Sequence, residues 1–222
     1  MALMTSSFLV LTLPFMFFDT SKWQNNYKIQ NNRYPTKKLY ILSIGMWLKN
    51  ELYVNLPLTC LPIVLHTVNY ITPESLLLKN FLQDTLYTFL LMDFLFFGLH
   101  YALHTPVLFK NIHYVHHTFK YPFGFVGQAT HPIEGLLFGI VSIIPIKLFS
   151  RHFITQNVML LFVMMNNIDS HSGYNFINIH KWTNGVLSGS VSHDLHHLHS
   201  NINYSIYTTI WDRILNFSKK LR

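Results

Sequence analysis

Three histidine clusters constrain this chain more than any other feature. His100 and His104 are spaced H-x-x-x-H, while His113, His116, His117 and His193, His196, His197 each read H-x-x-H-H. On a helix, positions i, i+3 and i+4 share one face, so each cluster presents two or three imidazoles to a common centre. The chain has 14 His in 222 residues. Independent placement would then produce a given H-x-x-H-H about 0.05 times, so two copies are not scatter. These imidazoles exceed what one tetrahedral zinc takes and suit two transition metals.

Composition says where such a site sits. Half of the residues are hydrophobic and 11% are charged, against about 25% charged in soluble domains. That is the balance of a membrane protein, and the length fits one folded unit. The single cysteine, Cys60, excludes an intramolecular disulfide, a cysteine zinc site and an iron–sulfur cluster. The net charge of +7 fits anionic lipid headgroups. No nucleic-acid motif accompanies it.

Residues 1–18 are apolar, lack a basic leader and a small-residue cleavage site, and read as a retained membrane segment. Residues 19–50 carry Lys22, Lys28, Arg33, Lys37, Lys38 and Lys49 among asparagines and Pro35. They read as a solvated loop, on the cytosolic side by the positive-inside rule. Leu52 to Ile71 is an uncharged run long enough to cross the bilayer, kinked by Pro57 and Pro62. His66 within it reads as a packed, hydrogen-bonded side chain rather than a ligand. Thr72-Pro73-Glu74 signals a turn and a helix start.

Phe81 to His104 forms the next span, ended by Thr105-Pro106. Asp93 lies two turns before His100 on roughly the same face, a candidate acceptor for a ligating imidazole. Residues 105–131 are interfacial. Leu136 to Phe149 and Phe153 to Ile168 are short apolar stretches expected to form a membrane hairpin that returns the chain to the same side. Counting crossings from the basic loop then places all three clusters and the tail in the cytosol. The predicted class is an all-α integral membrane bundle with a cytosol-facing, histidine-rich di-metal site. An all-imidazole pair at the end of such a bundle suits non-haem iron, which can activate dioxygen against an unactivated C–H bond.

The boxes resemble the fatty acid hydroxylase and sterol desaturase superfamily over residues 93–216. The likeness extends to Pro122-Phe123-Gly124, His131-Pro132-Ile133-Glu134, His171-Ser172-Gly173-Tyr174-Asn175, Asn203-Tyr204 and Trp211-Asp212-Arg213-Ile214. Two of these stretches, Pro-Phe-Gly and His-Pro-Ile-Glu, are similar to sterol C-4 methyl oxidases. The run His193-Asp194-Leu195-His196-His197, flanked by His180 and His199, is similar to cholesterol 25-hydroxylase.

The resemblance implies an endoplasmic-reticulum enzyme with two iron ions, using dioxygen as co-substrate and electrons from cytochrome b5 or an NAD(P)H-dependent reductase. Its substrate would be a sterol or a fatty-acyl lipid. The metal role falls on the eight box histidines, with His171 as a ninth ligand and His131 as a tenth candidate. Asp194 and Asp212 match recurrent acids expected behind the ligands, as does Glu134 beside its histidine. The chain divides into N-terminal membrane segments with the basic loop, residues 1–80, and a catalytic domain, residues 81–222.

Two departures touch the pocket rather than the metals. Tyr101 stands where an arginine commonly follows the first histidine, and Asn216-Phe217 replaces the usual Gly-Thr. The chain is also shorter than most members, chiefly in the N-terminal spans. The rival readings are a non-catalytic shortened member and a membrane zinc hydrolase. The hydrolase lacks an H-E-x-x-H and would have to use Glu134 as its base. Lys219-Lys220-Leu221-Arg222 matches a dilysine retrieval signal and reads equally as a plain basic tail.

Overall fold

Polarity is inverted along the longest helix. Asp84, Thr88, Asp93 and His100 are buried, whereas Leu82, Leu86, Leu90 and Phe94 are half or more exposed. In water that arrangement would be costly. In lipid it is the stable one, because polar groups need protein partners and apolar ones do not.

A computed structural model of the chain describes residues 2–60 and 77–219. Its principal helices are α1 (Ala2–Ser21), α2 (Lys37–Asn50), α3 (Leu78–Leu103), α4 (Pro132–Phe149), α5 (Phe153–Ser170) and α6 (Gly189–His199). Shorter helical turns occupy the connections. Among the described residues there is no strand, only the isolated bridges Lys28–Tyr174 and Leu187–Thr208. The fold is all-α.

Among the described residues two helices, α3 and α4, are long and apolar enough to cross a membrane. At 1.5 Å per residue they measure about 39 Å and about 27 Å, against a hydrocarbon core of about 30 Å. The outward faces of α4 and α5 are greasy too, with Ile140, Ile144 and Leu148 on one and Val158, Leu161 and Met165 on the other. The expected hairpin is therefore present as α4 and α5. Its turn lies beside the start of α3, where Asp84 accepts from the Arg151 amide (2.9 Å) and Nε (2.8 Å). That ion pair explains a basic residue in a turn where the charge pattern alone disfavours one.

The predicted span 81–104 corresponds to α3. Thr105 and Pro106 break the helix as expected, and Pro106 takes the first position of the next turn, where its missing N–H is harmless. Of the run 52–71, the first part forms a π-helical turn, Glu51–Asn55, and a short helix, Leu56–Cys60. The rest of that run, with Pro62 and His66, lies outside the described residues. So do Thr72-Pro73-Glu74 and the last three residues of the tail.

The first 18 residues fall within α1. Its Phe8 packs with Tyr40, Trp47, Phe123 and Phe125 in an aromatic core. A second core of Met92, Phe96, Ile146, Met159 and Tyr207 ties α3 to the hairpin. Burying large aromatics of this kind is the main favourable term for each layer.

Lys28 corrects the reading of residues 19–50 as an ordinary solvated loop. It is buried against Asp19, with its Nζ 2.6 Å from Oδ1. The charge is tolerated because the carboxylate also accepts the hydroxyls of Tyr40 (2.7 Å) and Tyr174 (2.9 Å), so no polar group in the cluster is stranded.

Candidate metal centre

The three boxes arrive from different elements. His100 lies on the last turn of α3, with His104 capping it. His113 ends a π-helical turn, Phe109–His113, and His116 and His117 lie on the helical turn Tyr114–His117. His193, His196 and His197 lie on one face of α6. His171 caps the C-terminus of α5. Because α4 runs away from this end and α5 returns to it, box three meets boxes one and two.

Nine imidazoles converge in two groups. His100, His104, His113, His117 and His196 form one, and His116, His171, His193 and His197 the other. Within each group the candidate ligand atoms lie within 4.8 Å of one another. The groups adjoin. The rings of His113 and His116, of His193 and His196, and of His117 and His197 stack in pairs across them, with centroid separations of 5.5, 5.4 and 4.8 Å, an ordinary aromatic spacing.

The tautomers are set from behind. Nδ1–H donates to a backbone carbonyl in His100 (Tyr204, 2.6 Å), His171 (Asn167, 2.7 Å), His196 (Ile202, 2.7 Å) and His197 (Phe119, 3.0 Å). In His113 it donates to Glu134 Oε1 at 2.9 Å. A carbonyl can only accept, so the Nε2 of each of those four rings carries a lone pair. The Nε2 atoms of neighbouring rings face one another. His117 Nε2 is 3.1 Å from His113 Nε2 and 3.2 Å from His196 Nε2. His171 Nε2 is 3.1 Å from His116 Nε2 and 2.9 Å from His193 Nε2.

The single N–H of His117 cannot serve both of its neighbours. His197 Nε2 is buried with no hydrogen-bond partner, although its Nδ1 is already donating. A cation resolves the conflict. Metal–nitrogen bonds of about 2.0–2.1 Å at ordinary coordination angles put neighbouring nitrogens about 2.9–3.4 Å apart, which matches the spacing seen. The donor set fits two transition metals.

Burial also keeps the imidazoles ready to ligate. Desolvation pulls His171 down to about 4, opposed by its bond to the Asn167 carbonyl and aided by the His100 imidazole. His113, His116, His117, His193, His196 and His197 are driven well below the usual histidine value, first by burial and then by one another's charge. At neutral pH each is uncharged, the form that binds metal.

The remaining sequence-predicted residues are placed as follows. His131 belongs to neither group; its Nδ1 accepts from the Ile133 amide at the start of α4. Glu134 sits behind His113, with its second oxygen buried and unpartnered. Asp93 touches no imidazole through a hydrogen bond; its carboxylate accepts from Thr208 N (3.0 Å), Thr208 Oγ1 (2.7 Å) and Trp211 Nε1 (2.9 Å). Asp212 accepts the Tyr204 and Ser205 amides, both at 2.9 Å. It thus fixes the peptide whose carbonyl orients His100. Asp194, on the box-three helix, accepts from Gln30 Nε2 at 2.7 Å, and burial pushes its carboxyl up to about 6.

An apolar groove between α3 and α5, lined by Leu82, Leu86, Phe89 and Phe162, lies beyond the Phe96–Tyr207 core and apart from the histidines. Reasoning from sequence missed the carbonyls of Tyr204, Ile202, Phe119 and Asn167, since any residue type can supply one. It also missed Ser200, whose Oγ lies 3.1 Å from His117 Nδ1. Only its place just after box three pointed to it.

An all-α bundle with apolar outer faces and a nine-imidazole cluster fitted to metal defines a class, that of helical membrane proteins with a candidate metal centre. The family is narrower: residues 85–216 match the model of the fatty acid hydroxylase family, and the chain belongs to that family. It is 33% identical over 96 residues to methylsterol monooxygenase 1 of Gallus gallus, covering 43% of this chain and 32% of that protein. Against methylsterol monooxygenase 1 of Danio rerio the identity is 32% over 98 residues, 44% of this chain and 34% of the relative. Against Delta(7)-sterol 5(6)-desaturase of Eremothecium gossypii it is 33% over 90 residues, 40% and 24%. The matches thus take in about a quarter to a third of each relative's own length. No solved structure matches the chain.

Proposed function

We propose that the chain is a membrane-bound, non-haem di-iron oxygenase that hydroxylates a sterol or related lipid with dioxygen, in sterol or lipid biosynthesis. The convergence of nine uncharged imidazoles into two adjoining groups carries this reading. Names of the relatives narrow it to sterol oxidation. Two irons bound there would supply two-electron activation of dioxygen against a C–H bond.

The protein's own part is binding and exclusion. The Nε2 atoms of His100, His104, His113, His117 and His196 would hold one ion, and those of His116, His171, His193 and His197 the other. Carbonyls behind His100, His171, His196 and His197, and Glu134 behind His113, hold five of the nine rings with Nε2 facing inward. Burial of eight of the nine side chains keeps bulk water out. The lipid-facing surfaces of α3 and α4 put the site at a membrane, where a sterol or fatty-acyl substrate resides.

Glu134 favours this reading over a zinc hydrolase. A hydrolytic base must reach a water across an open metal position, and Glu134 instead lies on the outer, Nδ1 side of His113. The basic loop joins the histidine end, where the Ile29 amide donates to the Gly173 carbonyl. By the positive-inside rule that end faces the cytosol, which suits the endoplasmic reticulum and electron delivery by cytochrome b5 or an NAD(P)H-dependent reductase.

The test is reconstitution in lipid with ferrous iron, an electron donor and supplied sterols. Dioxygen-dependent formation of an oxidised sterol, absent from His116→Ala and His196→Ala, supports the proposal. An unchanged profile across sterols and fatty acyls, with a working donor and two irons bound, would leave a non-catalytic member of the family.

A further inference from the structure

The four-imidazole group is held by a piece of chain that lies outside the family-matched residues 85–216. Residues 27–30 run antiparallel to the loop that follows His171. The Ile29 amide donates to the Gly173 carbonyl (3.1 Å), and the Asn175 amide donates to the Tyr27 carbonyl (2.8 Å). Lys28 pairs with Tyr174 as an isolated bridge, and its Nζ lies 4.2 Å from the Tyr174 ring centre.

The same few residues reach the other two elements of that group. Gln30 Nε2 donates to the Lys120 carbonyl (3.0 Å), three residues past His117, and to Asp194 Oδ1 (2.7 Å), next to His193. The strap is anchored in turn by the buried Lys28–Asp19 pair at the end of α1, with the Tyr40 and Tyr174 hydroxyls on the same carboxylate. Gly173 lets the two segments approach. Its φ is +74°, and a Cβ there would meet the Pro122 carbonyl oxygen at 2.5 Å and Lys28 Nζ at 3.0 Å.

We infer that Asp19, Lys28 and Gln30 are positioning residues for the His116, His171, His193, His197 metal site, and that this site depends on the strap more than its five-imidazole neighbour does. The asymmetry has a geometric source. The contacts of the strap fall on the segment after His171, on the one after box two and on Asp194. Boxes two and three give ligands to both groups, whereas His171, whose loop takes the contacts of residues 27–29, belongs only to the four-imidazole group. In the other group His100 and His104 lie on α3, and His100 is oriented by Tyr204, which Asp212 fixes from the tail. The inference rests on the metal-centre reading above.

The experiment is a Co²⁺ titration of the full-length apo-protein in lipid nanodiscs, followed by visible absorption and by magnetic coupling between the ions. The wild-type chain takes up two coupled ions. Gln30→Leu, and the charge-free pair Asp19→Asn with Lys28→Met, should weaken one ion by about 10-fold, the low end of the cost of an outer partner because none of the three touches a ligating imidazole. The other ion keeps its affinity, and the coupled signature gives way to that of an isolated ion.

Gln30→Leu leaves the buried ion pair intact, so it remains readable even if the double variant folds poorly. Equal weakening of both ions, or two coupled ions at unchanged affinity, overturns the inference while leaving the metal centre standing. A wild-type chain that binds no Co²⁺ overturns the metal-centre reading itself.

Discussion

The two ends of α3 bury polar groups in the same apolar helix, yet they are finished in different ways. At the start of the helix Asp84 is fully served by Arg151, through its amide and its guanidinium, and Thr88 shares a hydrogen bond with Ser150 at 3.0 Å. At its close His100 and its neighbours are served only on their outer nitrogens, and the inner lone pairs face each other. For its charged group the first end is closed within the chain, although Thr85 Oγ1 and His152 Nε2 are buried nearby without a partner. The second end is left open to a cation: unpartnered nitrogens of His104, His116, His193 and His197 belong to one cluster of rings. A buried charge met by its counter-charge holds structure, and a cluster of unmet ring nitrogens suits a metal ion.

The largest expected effect falls on the open end. His196→Ala or His116→Ala should abolish sterol oxidation, a loss of more than about 100-fold and beyond the range of an outer partner. Metal analysis should show the matching ion missing. Full activity in either variant would break the contrast between the ends. Glu134→Ala comes next. Removing the acceptor behind His113 should weaken one metal by about 10–100-fold, read by competition with a chelator, and cost the metal-free chain about 1–3 kcal/mol of stability.

Proton linkage supplies a third measurement. In the unfolded chain the histidines protonate near 6.5, whereas burial holds His171 near 4 in the folded one. Between those values the unfolded state binds more protons, so folded metal-free protein should lose stability as pH falls from 6.5 toward 4 and show no such slope above 6.5. A denaturation series across that range checks it; a flat profile would mean that the cluster is open to water. The smallest effect belongs to the closed end. Asp84→Asn should cost about 1–3 kcal/mol of stability and leave metal content and turnover per folded molecule unchanged.

Which histidines converge was largely legible because i, i+3, i+4 spacing on a helix fixes which side chains share a face. His171 stands alone in the sequence and came only through family resemblance. The residues behind the ligands were harder to read, for two reasons. Carbonyls such as Tyr204 and Phe119 are present at every position, so nothing marks the ones that matter. Carboxylates at the right depth have more than one suitor: Asp93 lies near the face of His100, but Thr208 and Trp211 take its oxygens. The strap was hidden most deeply. Asparagines and lysines around Lys28 have the composition of a solvated loop, and only long-range contacts to Asp19 and Tyr174 reveal a buried cation.

The π-helical turn Phe109–His113 sets how box two tolerates change. Such a turn holds one residue more than an α-turn would, and each helical residue advances the chain by about 100°. Losing that one spare residue would convert the turn to an α-turn and leave His116 and His117 facing nearly as before, whereas a deletion in the α-helical turn Tyr114–His117 would swing them about a quarter of the way round their axis, away from both groups at once. Box two should therefore survive the loss of one position between Phe109 and Ile112, yet fail on losing Val115.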